Sequence, residues 1–187
     1  MKENGKKNIL VIIGTTRINR ASEGVANWVM KNLPETKHTT YELVDLRDWK
    51  LPFFDEAMPP LASQGTYENE TAKKWLEKAK QADGFLVITA EYNHSIPAVL
   101  KNAMDYWYSG WTANKPIAFV SYGATSGGIR AVEHLRQVSL ELRLMPVHDE
   151  VNIPFIWAAF NEDGTIAQPS QIDQLHKVIA ELDGRFE

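Results

Sequence analysis

Residues 84–107 read GFLVITAEYNHSIPAVLKNAMDYW, a strand, a loop and a helix in succession. Phe85-Leu86-Val87-Ile88 is an apolar run short enough for a buried parallel strand. Val99, Leu100, Ala103, Met104 and Trp107 recur at three- and four-residue spacing, the pattern of a helix with one apolar face. Pro97 suits the first turn of that helix, where its missing N–H costs nothing. Between them lies Ala90-Glu91-Tyr92-Asn93-His94-Ser95, a polar loop carrying an aromatic ring. An open α/β sheet places its ligand beyond the carboxyl end of a strand, which is where this loop falls.

The same grammar repeats on both sides. Asn8 to Ile13 is apolar throughout and reads as a central strand. It is followed by Gly14-Thr15-Thr16-Arg17-Ile18-Asn19-Arg20-Ala21-Ser22 and then by a helix through Val25, Ala26, Trp28, Val29 and Leu33, with Ser22 as its expected N-cap and Pro34 just past its end. A donor-rich loop that opens a helix is a natural anion site, because N–H groups converge there and the helix dipole favours negative charge. The loop lacks the Gly-Lys-Ser/Thr of a Walker motif and the three spaced glycines of a dinucleotide fingerprint. Thr39 to Leu46 alternates as a second strand. Asp48 to Gly65, with Pro52, Pro59 and Pro60, is a long irregular excursion of the kind that is usually functional or mobile. Tyr67 to Gln81 follows as a helix with Ala72, Trp75, Leu76 and Ala79 on one face.

Downstream, Pro116 to Tyr122 is a fourth strand that leads into Ser121-Tyr122-Gly123-Ala124-Thr125-Ser126-Gly127-Gly128, whose glycines allow close backbone approach to a flat ligand. A long helix to about Leu142, a fifth strand over Met145 to Ile153 and an amphipathic helix over Gln171 to Phe186 complete the chain. Strand and helix alternate five times, which implies a doubly wound parallel sheet.

Composition bounds the function. The chain has 187 residues, enough for one domain that buries roughly 70% of its unfolded surface. A net charge of −4 and no Lys/Arg run argue against nucleic acid as the partner. With no cysteine there is no disulfide or thiolate chemistry, which fits a cytoplasmic setting. The apolar run Ile9 to Ile13 is too short for a signal peptide or a membrane span, so the N-terminus reads as a frayed tail entering a strand. His38, His134, His148 and His176 are scattered without ligand spacing, so no metal site is expected. His94 is expected to make a structural hydrogen bond.

Two of the loops carry a resemblance. The run EYNHSIPAVLKNAMDYW resembles the second signature of the NAD(P)H-dependent FMN reductases, a branch of the flavodoxin-like superfamily, whose loop commonly reads Pro-Glu-Tyr-Asn. Ala90 stands where proline is usual, while Glu91, Tyr92 and Asn93 stay in register. The first loop is similar to that family's Gly-Ser-x-Arg signature, with Thr15 at the serine, Arg17 at the arginine, and Arg20 where a serine is often found. The run from Ser121 through Ile129-Arg130-Ala131 resembles its third flavin-contacting segment. The resemblance spans residues 8 to 150.

It implies a flavodoxin-like three-layer sandwich with a five-stranded parallel sheet of order 2-1-3-4-5. The strands carrying the three loops are then adjacent at the switch point. It implies further that Thr15, Thr16, Arg17, Arg20 and Ser22 surround the FMN phosphate. Ala90, Glu91, Tyr92, Asn93, Ser121, Tyr122 and Gly123 would hold the ring. No residue is assigned as acid or base, since a flavin accepts hydride by itself. The implied function is hydride transfer from NADPH or NADH to bound FMN and on to a quinone, azo compound, free flavin or similar small acceptor. The alternative is a flavodoxin-type electron carrier or a flavin-binding regulator. Two arginines in the phosphate loop and a mild net charge favour the enzyme. Tyr106-Trp107-Tyr108-Ser109-Gly110-Trp111 carries more large rings than one helix face is expected to bury. Interface cores are enriched in aromatics, and the resemblance also implies a homodimer or a dimer of dimers.

Overall fold

A computed structural model describes residues 5–187. Part of the expected N-terminal tail therefore lies outside the described residues. In chain order the elements are β1 (Lys7–Ile13), α1 (Ser22–Asn32), β2 (Thr39–Asp45), α2 (Leu46–Trp49), α3 (Pro60–Ser63), α4 (Glu70–Gln81), β3 (Gly84–Ala90), α5 (Ala98–Asp105), α6 (Ser109–Thr112), β4 (Pro116–Tyr122), α7 (Ile129–Glu141), β5 (Met145–Pro146), β6 (Val151–Ile153) and α8 (Ser170–Gly184). All strand pairs are parallel, in the order β2-β1-β3-β4-β5, with β6 also on β4. This is the flavodoxin-like arrangement.

The alternation of side chains along each strand divides the core in two. Ile9, Val11 and Ile13 of β1, with Leu86 and Ile88 of β3, point to the layer containing α1 and α8. Leu10, Ile12, Phe85, Val87 and Phe119 point to the layer containing α4, α5 and α7. Covered on both faces, β1, β3 and β4 have no polar side to present, which is why they are near-continuous apolar runs.

Several expectations change. The fifth strand is two segments, β5 and β6: the buried Val147 still donates its N–H to the Ile117 carbonyl of β4 at 2.9 Å, but residues 148–150 leave the ladder and bond elsewhere. Arg136 takes the carbonyls of Val147 and His148 at 2.7 and 2.8 Å, and Glu181 takes the N–H of His148 at 2.8 Å. Helix α4 begins at Glu70 rather than Tyr67, since Asn69 caps it by accepting from the N–H groups of Thr71 and Ala72 at 2.9 and 3.1 Å. Ser22 is not the N-cap of α1 but its first residue, behind Ala21. Its hydroxyl is turned down onto Thr15 at 2.6 Å instead.

The aromatic run after α5 is mostly core. Tyr106 is 0% and Trp107 1% exposed. Trp107 stacks on Phe85 and Trp75, with ring centroids at 4.5 and 6.0 Å, and Trp75 Nε1 donates to the Ala103 carbonyl at 2.7 Å. The supposed excess of rings is absorbed because α4 and the 51–67 segment also bring surfaces to them. Tyr67 donates to the Tyr106 carbonyl at 2.7 Å, and burial pushes its phenol well up from the ordinary range. The irregular excursion is pinned by Asn102 and by Tyr106, whose hydroxyl donates to the Pro52 and Phe53 carbonyls at 3.3 and 3.4 Å. Asn102 accepts from Phe54 N–H at 2.9 Å and donates to the Pro52 carbonyl at 2.7 Å. No described helix is long and apolar enough to cross a membrane.

Candidate functional site

The carboxyl ends of β1, β3 and β4 meet at one edge of the sheet, and their loops surround a cleft of about 200 Å³. Arg17, Arg20 and Ala21 line it from the first loop, Glu91 and Tyr92 from the second, and Gly123 from the third.

The first loop leaves β1 at Gly14, whose N–H donates to the Ile88 carbonyl at 2.8 Å. A side chain on Gly14 would meet Leu100 at 2.9 Å and that carbonyl at 3.0 Å, so the close approach of the chains requires glycine. Thr15 and Ser22, both fully buried, pair hydroxyl to hydroxyl beneath the loop. They lie beside Tyr122; burial pushes that phenol up, while hydrogen bonding to the two hydroxyls pulls it back. Thr16 and Arg17 are exposed.

The two arginines differ completely. The Arg20 side chain is 1% exposed and forms ion pairs with Asp45 and Glu23. Its Nη1 donates to Asp45 Oδ1 at 2.9 Å and to the Thr15 carbonyl, its Nη2 to Asp45 Oδ2, and its Nε to Glu23 Oε1 at 3.2 Å. These bonds raise the Arg20 pKa further. Burial alone pushes the Asp45 carboxyl up, but the hydrogen bonds from Arg20 and Arg47 and their charges hold it below its ordinary value. Arg17, by contrast, has no ion pair among the described residues. The N–H groups of Thr16, Arg17 and Ile18 likewise have no acceptor among them. An unpaired cation beside uncommitted N–H donors, ahead of α1, is the chemistry of an anion site.

The second loop is a two-residue turn. Tyr92 and Ser95 exchange backbone hydrogen bonds at 2.8 and 3.0 Å, and the central residues Asn93 and His94 have φ of 50° and 65°. Asn and His tolerate the left-handed region better than most residues, so the sequence matches the turn. His94 is exposed and makes no side-chain hydrogen bond among the described residues; His134 makes one instead, with Ser95 Oγ at 2.8 Å. Glu91 binds protein. Its carboxylate accepts from Arg130 Nη1 at 3.0 Å, Ser126 Oγ at 3.2 Å and Arg130 N–H at 3.3 Å, which ties the second loop to the third. Ala90 is the buried last residue of β3 rather than part of the loop.

In the third loop Ser121 is buried. Its hydroxyl lies 2.6 Å from Asn152 Oδ1 and 2.8 Å from the Gly127 carbonyl, below the cleft. Tyr122 is also largely buried, yet it lines the cleft together with Gly123 and Ala124. Gly127 and Gly128 have φ of 64° and 90°. A side chain on Gly128 would meet Ser121 Cβ at 2.8 Å.

Three groups at the site are absent from the sequence reading. Asp45 and Arg47 brace the first loop, and a segment after β6 brings Ile156 and Trp157 to the cleft wall. That segment is bonded to the third loop through Phe155 N–H to the Ala124 carbonyl at 2.8 Å and Ile156 N–H to the Gly123 carbonyl at 3.1 Å. Its available signal was the aromatic pair Phe155 and Trp157 just past the end of the fifth strand.

The edge of the sheet therefore offers an anion site at one side and a walled slot, floored by backbone and flanked by Tyr92 and Trp157, at the other. These residues fit a flat ring joined by a short chain to a phosphate. Comparison with known proteins points the same way. The family model described as NADPH-dependent FMN reductase matches residues 7–158. An NAD(P)H-dependent FMN reductase of Schizosaccharomyces pombe is 38% identical over 148 residues, covering 78% of this chain and 73% of that protein. A 2-hydroxy-1,4-benzoquinone reductase of a Burkholderia species is 32% identical over 146 residues, covering 73% of this chain and 72% of the relative. Among solved structures, a flavoenzyme NAD(P)H:(acceptor) oxidoreductase from Paracoccus denitrificans superposes with a TM-score of 0.74 at 20% identity, over 96% of this chain and 97% of that one.

Proposed function

The chain belongs to the NADPH-dependent FMN reductase family, and from that membership we propose which of its residues hold the cofactor and what they do. It is an FMN-dependent oxidoreductase that draws on NAD(P)H. The chemistry that FMN supplies when bound is acceptance of hydride from a reduced nicotinamide and its delivery to a second small molecule.

The observation that carries the site assignment is the contrast within the first loop. Arg17 has no anionic partner among the described residues and lies beside the free N–H groups of Thr16 and Ile18, whereas Arg20 is spent on Asp45. Arg17, Thr16 and the backbone then hold the phosphate, and Thr15, Ser22 and Arg20 support them from below. On the ring side Tyr92 and Trp157 flank the slot, the Gly123 backbone floors it, and Asn93, on the exposed turn outside the lining, would meet the ring only from its rim. Glu91, Ser121 and Tyr122 set the positions of those groups, and Ala90 ends the strand that carries them. A floor of bare backbone suits a flat ring because it allows close approach, while the Gly123 N–H itself is taken by the Ile153 carbonyl at 3.1 Å.

The acceptor is a small oxidant able to lie on an open ring face: a quinone, an azo compound or a free flavin. The quinone-reducing relative favours the first. The chain works as one flavodoxin-like unit in the cytoplasm, as a homodimer or dimer of dimers. Exposed Leu61, at a cleft of about 300 Å³ between α3, α5 and α7 that Val138 and Leu142 also line, supports an interface on that face.

The test begins with FMN titrated into apoprotein. Arg17→Ala is expected to weaken binding roughly ten- to a hundred-fold, the loss of about 1.5–3 kcal/mol for a charge-assisted contact. Anaerobic NADPH or NADH should then bleach the wild-type flavin directly. Equal affinity of variant and wild type removes the phosphate assignment, and no bleaching by either nicotinamide means a carrier.

A further inference from the structure

Taking the phosphate site above as given, we infer that Arg20, Asp45, Glu23 and Arg47 form a charged latch behind the first loop that turns its N–H groups toward the phosphate without touching it.

Two guanidinium groups each hold a loop carbonyl. Arg20 Nη1 donates to the Thr15 carbonyl, and Arg47 Nη2 donates to the Arg17 carbonyl at 2.9 Å. In a trans peptide the C=O and the following N–H point in opposite directions, and no described peptide bond is cis. Holding the Thr15 carbonyl therefore aims the Thr16 N–H the other way, and holding the Arg17 carbonyl does the same for the Ile18 N–H. Both guanidinium groups are tied to Asp45 or to its neighbour Glu23, and Asp45 closes β2. In the sheet order β2 lies on one side of β1, and β3 and β4, whose loops wall the cleft, lie on the other. The carbonyls are drawn to the β2 side, so the donors face the cleft.

The latch is cross-connected. Glu23 Oε1 accepts from Arg20 Nε at 3.2 Å and from Arg47 Nη1 at 2.8 Å. Asp45 Oδ1 accepts from Arg20 Nη1 and from the Arg47 N–H, each at 2.9 Å. Two positive and two negative groups thus lock one another, and the pair nearest the loop is shielded from water on the Arg20 side, where the side chain is 1% exposed. A loop fixed before the ligand arrives does not lose conformational freedom on binding, which is how such bracing raises affinity. Asp45, Glu23 and Arg47 are positioning residues in this scheme, and their effect should be specific to a ligand that carries a phosphate.

Riboflavin, the same ring and chain without the phosphate, separates positioning from general damage. The dissociation constants of FMN and riboflavin are measured by flavin fluorescence on apoprotein of wild type, Asp45→Asn and Arg47→Gln, with thermal unfolding of each. The wild type should prefer FMN. Asp45→Asn should lower that preference by roughly ten-fold and Arg47→Gln by roughly three-fold, with riboflavin affinity little changed. A preserved preference in either folded variant overturns the latch, and so does an equal loss for both ligands. Should Asp45→Asn fail to fold, Arg47→Gln, which alters a partly exposed side chain, decides alone. A wild type that binds riboflavin as tightly as FMN overturns the phosphate site itself, a result distinct from failure of the latch.

Discussion

The loop at residues 15–21 is held by side-chain charge, whereas the loop at 123–128 is held mainly by backbone bonding and close glycine packing, with a side-chain tie from Ser126 to Glu91. In the first, Arg20 and Arg47 grip carbonyls from outside and are themselves gripped by Asp45 and Glu23. In the second, the N–H of Gly123 bonds to the Ile153 carbonyl at 3.1 Å, and Gly127 and Gly128 occupy left-handed conformations against neighbouring chain. On the proposed assignment of the cofactor, the difference follows from what each loop would face. A phosphate needs donors aimed at a point, which charged struts can arrange from a distance. A flat ring needs an even surface at close range, which only bare backbone can provide. The first loop should therefore fail when a charge is removed, and the second when an atom is added.

The largest expected effect is on the glycine side. Gly128→Ala places a Cβ 2.8 Å from Ser121 Cβ at a φ of 90°, and it should cost about 2–4 kcal/mol of stability through strain and overpacking together. Urea unfolding should show a lower midpoint with an unchanged slope. An unshifted midpoint would mean that the third loop yields freely.

The link between the loops comes next. Glu91→Gln weakens the contacts to Arg130 and Ser126. It should cost flavin binding about 1–2 kcal/mol, equally for FMN and riboflavin, because it acts at the ring. A loss confined to FMN would place Glu91 with the phosphate loop and erase the contrast.

The smallest effect is the pH dependence that Asp45, at the end of β2 behind the first loop, contributes. The folded-state pKa of Asp45 is lowered, so its ion pair contributes stability above the unfolded-state value and loses it as pH falls through the lowered folded value. Apoprotein of wild type and Asp45→Asn should thus differ by a constant amount from pH 8 to about pH 5, and the gap should close below about pH 4, the ordinary aspartate value. A gap that changes between pH 6 and 8 would assign the effect to another group.

The sequence by itself determined the layered α/β architecture, because β1, β3 and β4 must be apolar along their whole length to be covered on two faces. It also pointed to three loops at their carboxyl ends, since the glycines, hydroxyls and arginine of a ligand loop stand apart from neighbouring apolar runs. Only the tertiary structure decided what each side chain in those loops does. Arg17 and Arg20 are three residues apart and alike in type, and nothing local distinguishes them. They differ because Asp45, 25 residues on from Arg20, lies beside β1 once β2 pairs there. Tyr106 and Trp107 read as surplus rings because a sequence window contains only one helix, while the surfaces that bury them arrive from α4, β3 and the 51–67 segment. The break between β5 and β6 depends on Arg136 and Glu181 reaching over from α7 and α8, and Trp157 comes to the cleft because Phe155 and Ile156 bond to the third loop. Periodicity records which way a residue faces, and it is local. Partnership between charged and aromatic side chains is set by which elements the sheet order makes neighbours, and that is not written at any one position.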